Sequence, residues 1–169
     1  MSYNVRVLLF IVVLTTFQSC GFYFEAGVEV NVMSVGKNTP IVREAYERFG
    51  NGDIPGLLEL VTEDIDWTVP DIENAPFAGP RHGREAVGEF FNLLAIAEDI
   101  TDFEPREFIE QDDRVVVLGR STATVRSTGR HYSTEWVHVC TVKDGKMTDF
   151  HEFFDTAAAM RAFQKATTA

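Results

Sequence analysis

The chain has 169 residues, enough for one domain with a substantial core and too few for two. Its 26 acidic against 15 basic residues give a formal charge of -11, which repels phosphate backbones and argues against nucleic acid as a partner. Cys20 and Cys140 stand far apart with no CxxC or Cys/His spacing, so neither a disulfide framework nor a zinc site is indicated.

Residues 1–33 differ from the rest. Arg6 precedes an apolar run from Val7 to Leu14, and Gln18-Ser19-Cys20-Gly21 follows, the outline of a secretion signal ending near a lipid-modifiable cysteine. The run is short for a membrane span. Two readings stand: an exported, lipid-anchored protein, or a cytoplasmic one whose translation starts at Met33. The domain is taken as residues 34–169.

Thr39 is the expected N-cap of a first helix, with Pro40 at its first position. Val42, Ala45, Tyr46 and Phe49 recur at i, i+3, i+4 and i+7 until Gly50 and Gly52 stop it. Asp53 is placed to cap a second helix with Ile54, Leu57, Leu58 and Val61 on one stripe. Ile65, Trp67 and Val69 alternate with polar residues as in a half-buried strand ended by Pro70. An irregular rim loop is expected over Asp71–Gly83, then a third helix from Arg84 to about Leu94.

Four strands are predicted in the C-terminal half: Phe103–Gln111, Arg114–Arg126, His131–Val142 and Met147–Phe154. Their connections are short, so they form an antiparallel meander, and Asp155 caps a closing helix. Helices first and sheet afterwards give an α+β fold, a cone of curved antiparallel sheet packed against three N-terminal helices.

Three-residue loops centred on Thr128-Gly129-Arg130 and Asp144-Gly145-Lys146 set Arg126 opposite Arg130 and Val142 opposite Lys146. Counting back yields three rows on one face: Leu118, His138, Phe150; Arg120, Trp136, Glu152; Thr122, Thr134, Phe154. A two-residue loop at the last hairpin would slip the register by one and take Glu152 off that face. With Tyr46, Trp67, Phe77 and Phe90, these residues outline a mostly apolar small-molecule pocket. The other face keeps Val137, Val139, Met147 and Phe153, which suits a homodimer through the sheet.

Three segments resemble SnoaL-like proteins of the nuclear transport factor 2-like superfamily, with ketosteroid isomerases, limonene epoxide hydrolases and polyketide cyclases among its members. They are AYERFGNGDIPGLLELVTEDIDWTVP, PFAGPRHGREAVGEFF and WVHVCTVKDGKMTDFHEFFDT, and the resemblance runs from about Pro40 to Phe163. It implies the cone fold and a pocket for a small hydrophobic or polyketide-like molecule, with no cofactor, serving an isomerase, cyclase, hydrolase or non-catalytic binder. Glu152 falls on one aspartate of the hydrolases' Asp-Arg-Asp set. Arg120 falls on the arginine after a one-residue gap, and Thr122 replaces the second aspartate. Val69 stands where steroid isomerases carry their base, which argues against that reaction, and the isomerase oxyanion acid falls near His138.

Among these residues, Glu152, amid Phe150, Phe153 and Phe154, is the candidate general base. His138 and Arg120 are candidates to position or polarise the substrate, each against the bland alternative of a core histidine or a salt bridge. Glu107 and Glu110 read as solvated charges.

Overall fold

The computed structural model describes residues 36–165, so the two readings of residues 1–33 fall outside it. Helix α1 (Thr39–Gly50) buries Val42 and Ala45, the stripe expected of it. Its N-terminus is capped differently from expectation. Asn38 holds the N-cap position without a side-chain cap bond, and the carboxylate of Glu110 does the work from across the fold. It accepts from the backbone N–H of Asn38 at 3.1 Å, from that of Thr39 at 2.7 Å and from the Thr39 hydroxyl at 2.6 Å. Those amides have no partner within the helix, so an anion there both satisfies them and complements the helix dipole. Partial desolvation raises the Glu110 carboxyl, and the bonds from Thr39 and Asn38 outweigh it, leaving the group below its ordinary range.

Helix α2 (Ile54–Glu59) starts as its sequence requires, with Asp53 Oδ1 accepting from the Gly56 N–H at 3.0 Å. Strand β1 (Val61–Val69) turns Val61, Ile65, Trp67 and Val69 inward. Within the predicted rim loop lies a short strand, β2 (Gly79–His82), which pairs antiparallel with β1. Helix α3 (Arg84–Ala97) runs three residues past Leu94 and buries Val87, Phe90 and Phe91. Each such aromatic or branched side chain removed from water contributes roughly 1.5–3 kcal/mol.

The remaining elements are β3 (Glu98–Gln111), β4 (Arg114–Val125), β5 (His131–Lys143), β6 (Lys146–Phe154) and α4 (Thr156–Phe163), the last capped by Asp155. One six-stranded sheet results, in the order β2-β1-β6-β5-β4-β3. The predicted meander is present, and β1 joins it by a parallel pairing with β6. The fold is the α+β cone: a curved, open sheet holding its concave face against the helices.

Bulges curve this sheet and reset its faces. In β3 the unpaired residues are Thr101 and Arg106. Inward parity therefore changes along one strand, from Glu98 and Ile100 to Phe103 and then to Phe108 and Glu110.

Two hairpins differ from expectation. Between β4 and β5 the loop is Arg126–Gly129, four residues, closed by the Gly129 N–H on the Val125 carbonyl at 2.8 Å with Gly129 at φ 68°. One residue more than predicted slips β4 by one, so Gly119 faces Trp136 and Ser121 faces Thr134. Leu118, Arg120 and Thr122 consequently lie on the convex face, a correction to the predicted rows.

Between β5 and β6 the loop is the two-residue Asp144-Gly145, both at positive φ (49° and 82°), with Lys143 opposite Lys146. That loop alone would expel Glu152. Thr148, an extra residue in β6, restores the parity, and Glu152 pairs with His138 on the concave face. The same bulge puts Met147 inward, 2% exposed, rather than on the convex face.

Candidate small-molecule site

Between α1, α3 and the concave face lies a cavity of about 110 Å³. Most of its wall is aromatic or aliphatic: Phe49, Trp67, Phe90, Phe103 and Phe150 are among the lining side chains. Trp67 stacks on Phe150 at 3.8 Å between ring centroids. An apolar cavity of order 150 Å³ holds a benzene-sized molecule, so this smaller one admits a single small ring at most and excludes a long chain.

One wall carries a chain of polar contacts. Alternation along β5 points Thr134, Trp136, His138 and Cys140 into the concave face. The His138 ring, only 4% exposed, is held between Trp136, stacked at 4.0 Å, and the edge of Phe150 at 4.8 Å. Tyr46, from α1, brings its hydroxyl to 2.8 Å from His138 Nδ1, and Glu152 Oε1 lies 3.1 Å from Nε2.

With Glu152 ionised, the consistent assignment has the Tyr46 O–H donating to Nδ1 and Nε2–H donating to the carboxylate. Burial, with the nearby Cys140 and Glu152, holds the Tyr46 phenol well above its ordinary range, so it keeps its proton. Glu152 remains partly open, its side chain 22% exposed.

A second polar pair escaped the sequence reading. Glu98, at the junction of α3 and β3, is 5% exposed and accepts a hydrogen bond of 2.6 Å from the Tyr132 hydroxyl. Burial raises the Glu98 carboxyl to about 7, against the pull of the Tyr132 bond and with a further push from the Glu152 charge. Burial first and Glu98 second also raise the Tyr132 phenol. Tyr132 was findable, two positions before Thr134 on the same face. Glu98 was not, because it stands where a helix hands over to a strand and neither period applies.

The cavity wall brings together Tyr46, Trp67, Phe77, Phe90, Thr134, His138, Phe150, Glu152 and Phe154 from the predicted set. Trp136 lies behind His138, its indole over Gly119. Arg120 is not in the site. Its Nε bonds Glu104 at 2.7 Å and lies 3.5 Å from Asp102 on the convex face, side chain half exposed. The hydrolase-like pairing of Arg120 with Glu152 is thereby excluded. Cys140 is a buried thiol pushed up to about 12 by desolvation, with Asp149 adding to it. Among the described residues, no group of three or more His, Cys, Asp or Glu side chains is arranged to hold a metal ion.

Fold and site together define a small-molecule pocket protein built on the α+β cone. Residues 42–150 match the SnoaL-like domain model, and the chain belongs to that family. It is similar to an NTF2-like protein from Burkholderia xenovorans LB400, with 36% identity and a TM-score of 0.69 over 75% of this chain and 95% of that one. An NTF2-like protein of unknown function from Burkholderia pseudomallei K96243 gives 34%, 0.69, 77% and 99% in the same measures. TerC, co-crystallised with polyporic acid, is 31% identical with a TM-score of 0.68, over 76% of this chain and 98% of its own. No curated protein matches the chain.

Proposed function

We propose that the protein is a cofactor-free enzyme that moves a proton on a small hydrophobic, oxygen-bearing molecule, as an isomerase, cyclase or hydrolase does. The observation that carries this is the chain Tyr46–His138–Glu152 on the wall of an otherwise apolar cavity. Glu152 is the general base, and its oxygen not bound to His138 takes the proton from a substrate C–H or from water. His138 positions the carboxylate and Tyr46 fixes the imidazole tautomer, the arrangement in which a base is oriented by a second group and that group by a third. Arg120 has no part in it. The co-crystallisation of the related TerC with polyporic acid supports a small-molecule occupant.

A second reading is a non-catalytic binder, favoured by one observation: Tyr46, His138 and Glu152 already satisfy one another without a ligand. Glu152→Gln separates the two. In an enzyme it lowers kcat by at least about 100-fold with ligand affinity kept, the scale of a lost general base. In a binder there is no turnover to lose and affinity alone is measured.

The proposed assembly is a homodimer through the convex face. Leu118, Val137 and Phe153 form one row across three strands, next to Val116 and Val139, and Phe153 is 49% exposed. Around them run the ion pairs of Arg120 with Glu104 and of Arg106 with Glu104, a rim carrying both signs that suits a self-complementary contact.

A further inference from the structure

The Glu98–Tyr132 pair lies in the same cavity as His138 and Glu152 yet shares no hydrogen bond with them. A carboxylic acid and a phenol hold two O–H protons between them, and the single 2.6 Å contact uses one. Neither side chain has another hydrogen-bond partner among the described residues, and Glu98 is 5% exposed. When the carboxyl is protonated, one O–H is therefore free inside the cavity. When it is ionised, the phenol's only proton is committed to the carboxylate and the pair can only accept.

We propose that Glu98 and Tyr132 orient the ligand, donating one hydrogen bond to a carbonyl oxygen of a neutral hydrophobic molecule whose reacting end lies against His138 and Glu152. This rests on the pocket reading above and names the ligand's chemistry: an uncharged ring-sized ketone or enone. Anionic ligands are disfavoured by the mostly apolar wall and by Glu152, and by Glu98 as well once it ionises. The donor is lost as pH rises, since the Glu98 carboxyl, raised to about 7, ionises through neutrality. Charged and titratable groups around it are Tyr132 and Glu152 across the cavity, His138, Tyr46 and Cys140 on its wall, and Arg126. Arg126 bonds the Glu98 backbone carbonyl at 3.2 Å and pairs with Asp99 at 3.6 Å.

Two isosteric probes test this: acetophenone, with a carbonyl, and α-methylstyrene, with a methylene in its place. Both are titrated by NMR at pH 5.5 and 8.5 into the wild type, Glu98→Gln and the double variant Glu98→Leu with Tyr132→Phe. In the wild type the ratio of ketone to alkene affinity falls about ten-fold from pH 5.5 to 8.5, the worth of one neutral hydrogen bond. Glu98→Gln, which keeps a donor but does not titrate, holds the ratio flat with pH, and Glu98→Leu combined with Tyr132→Phe, which removes both O–H groups of the pair, holds it low at both. A wild-type ratio that ignores pH, or a pH dependence that survives in Glu98→Gln, overturns the assignment to Glu98. The wild-type arm needs no substitution, so a variant that fails to fold leaves the test standing. Alkene binding without ketone preference keeps the pocket reading and sinks this one; binding of neither probe sinks both.

Discussion

At residue scale, the two carboxylates of the cavity are treated differently by their surroundings. Glu152 has His138 as a donor and a path to water, whereas Glu98 is enclosed and has only a phenol. The consequence of Glu98 for stability follows from its sign. Its folded value, about 7, lies above the 4.5 of a free glutamate, so the native state holds a proton that the unfolded chain has released. Its contribution is fully present below about pH 4.5 and is lost as pH rises to about 7. The shift corresponds to roughly 3 kcal/mol. Glu98→Gln is expected to be more stable than the wild type above pH 7 and to flatten the pH dependence between 4.5 and 7, read from urea unfolding midpoints. Equal pH slopes in the two proteins would refute it.

Gly119 is the other residue whose identity is dictated by its neighbours. A Cβ there would run into the Trp136 indole and lie 2.7 Å from the Glu104 carbonyl oxygen. Trp136 cannot yield easily, since it is 2% exposed and stacked on both His138 and Phe103. Gly119→Ala should cost about 1–3 kcal/mol by overpacking and disturb His138 through the shifted indole. Chemical denaturation gives the first and the His138 ring NMR signals the second; a wild-type midpoint with unmoved signals would contradict it.

Among elements, α1 depends on β3 for its start. Three donors at its N-terminus converge on Glu110, 71 residues from Thr39. Glu110→Ala is expected to cost about 1–2 kcal/mol, the scale of a lost N-cap. Because this carboxyl is held below its ordinary range, its contribution is present above the free glutamate pKa and disappears as pH falls through the lower folded value. Amide hydrogen exchange at Ile41 and Val42 is the direct readout, and protection equal to wild type would show that the cap is dispensable. Fraying here would also loosen Tyr46, and with it the tautomer of His138.

The bulge at Thr148 has a comparable reach. A two-residue turn suits Asp144-Gly145 locally, yet without the extra residue Phe150, Glu152 and Phe154 would all leave the cavity.

For the molecule as a whole, the convex face is the feature that a lone subunit leaves unexplained. Its row of Leu118, Val137 and Phe153 would be buried by a partner covering about 800 Å² on each side, the usual size for a stable dimer. If the proposed dimer forms, Phe153→Glu is expected to shift it to monomer in sedimentation at micromolar concentration while leaving the fold intact. A wild type that sediments as a monomer removes the dimer proposal.

The elements of this protein were legible in its residues, and the assembly of its site was only half so. The stripe Val42-Ala45-Tyr46-Phe49, the alternation of β1 and β5 and the Asp53 and Asp155 caps are local properties, set by side-chain periods and by nearby backbone amides. They identified two helix starts, the meander and most of the cavity wall. Which face each strand presents was decided elsewhere. One residue more in the Arg126–Gly129 loop carried Arg120 to the convex side, while Thr148 kept Glu152 within despite a shorter turn than expected. Glu98 met Tyr132 because a helix ended where it did, and Glu110 found α1 across the sheet. A side-chain period of two makes each strand readable alone, but one residue gained or lost at a turn or bulge inverts every face beyond it, and that count is settled only when the strands pair.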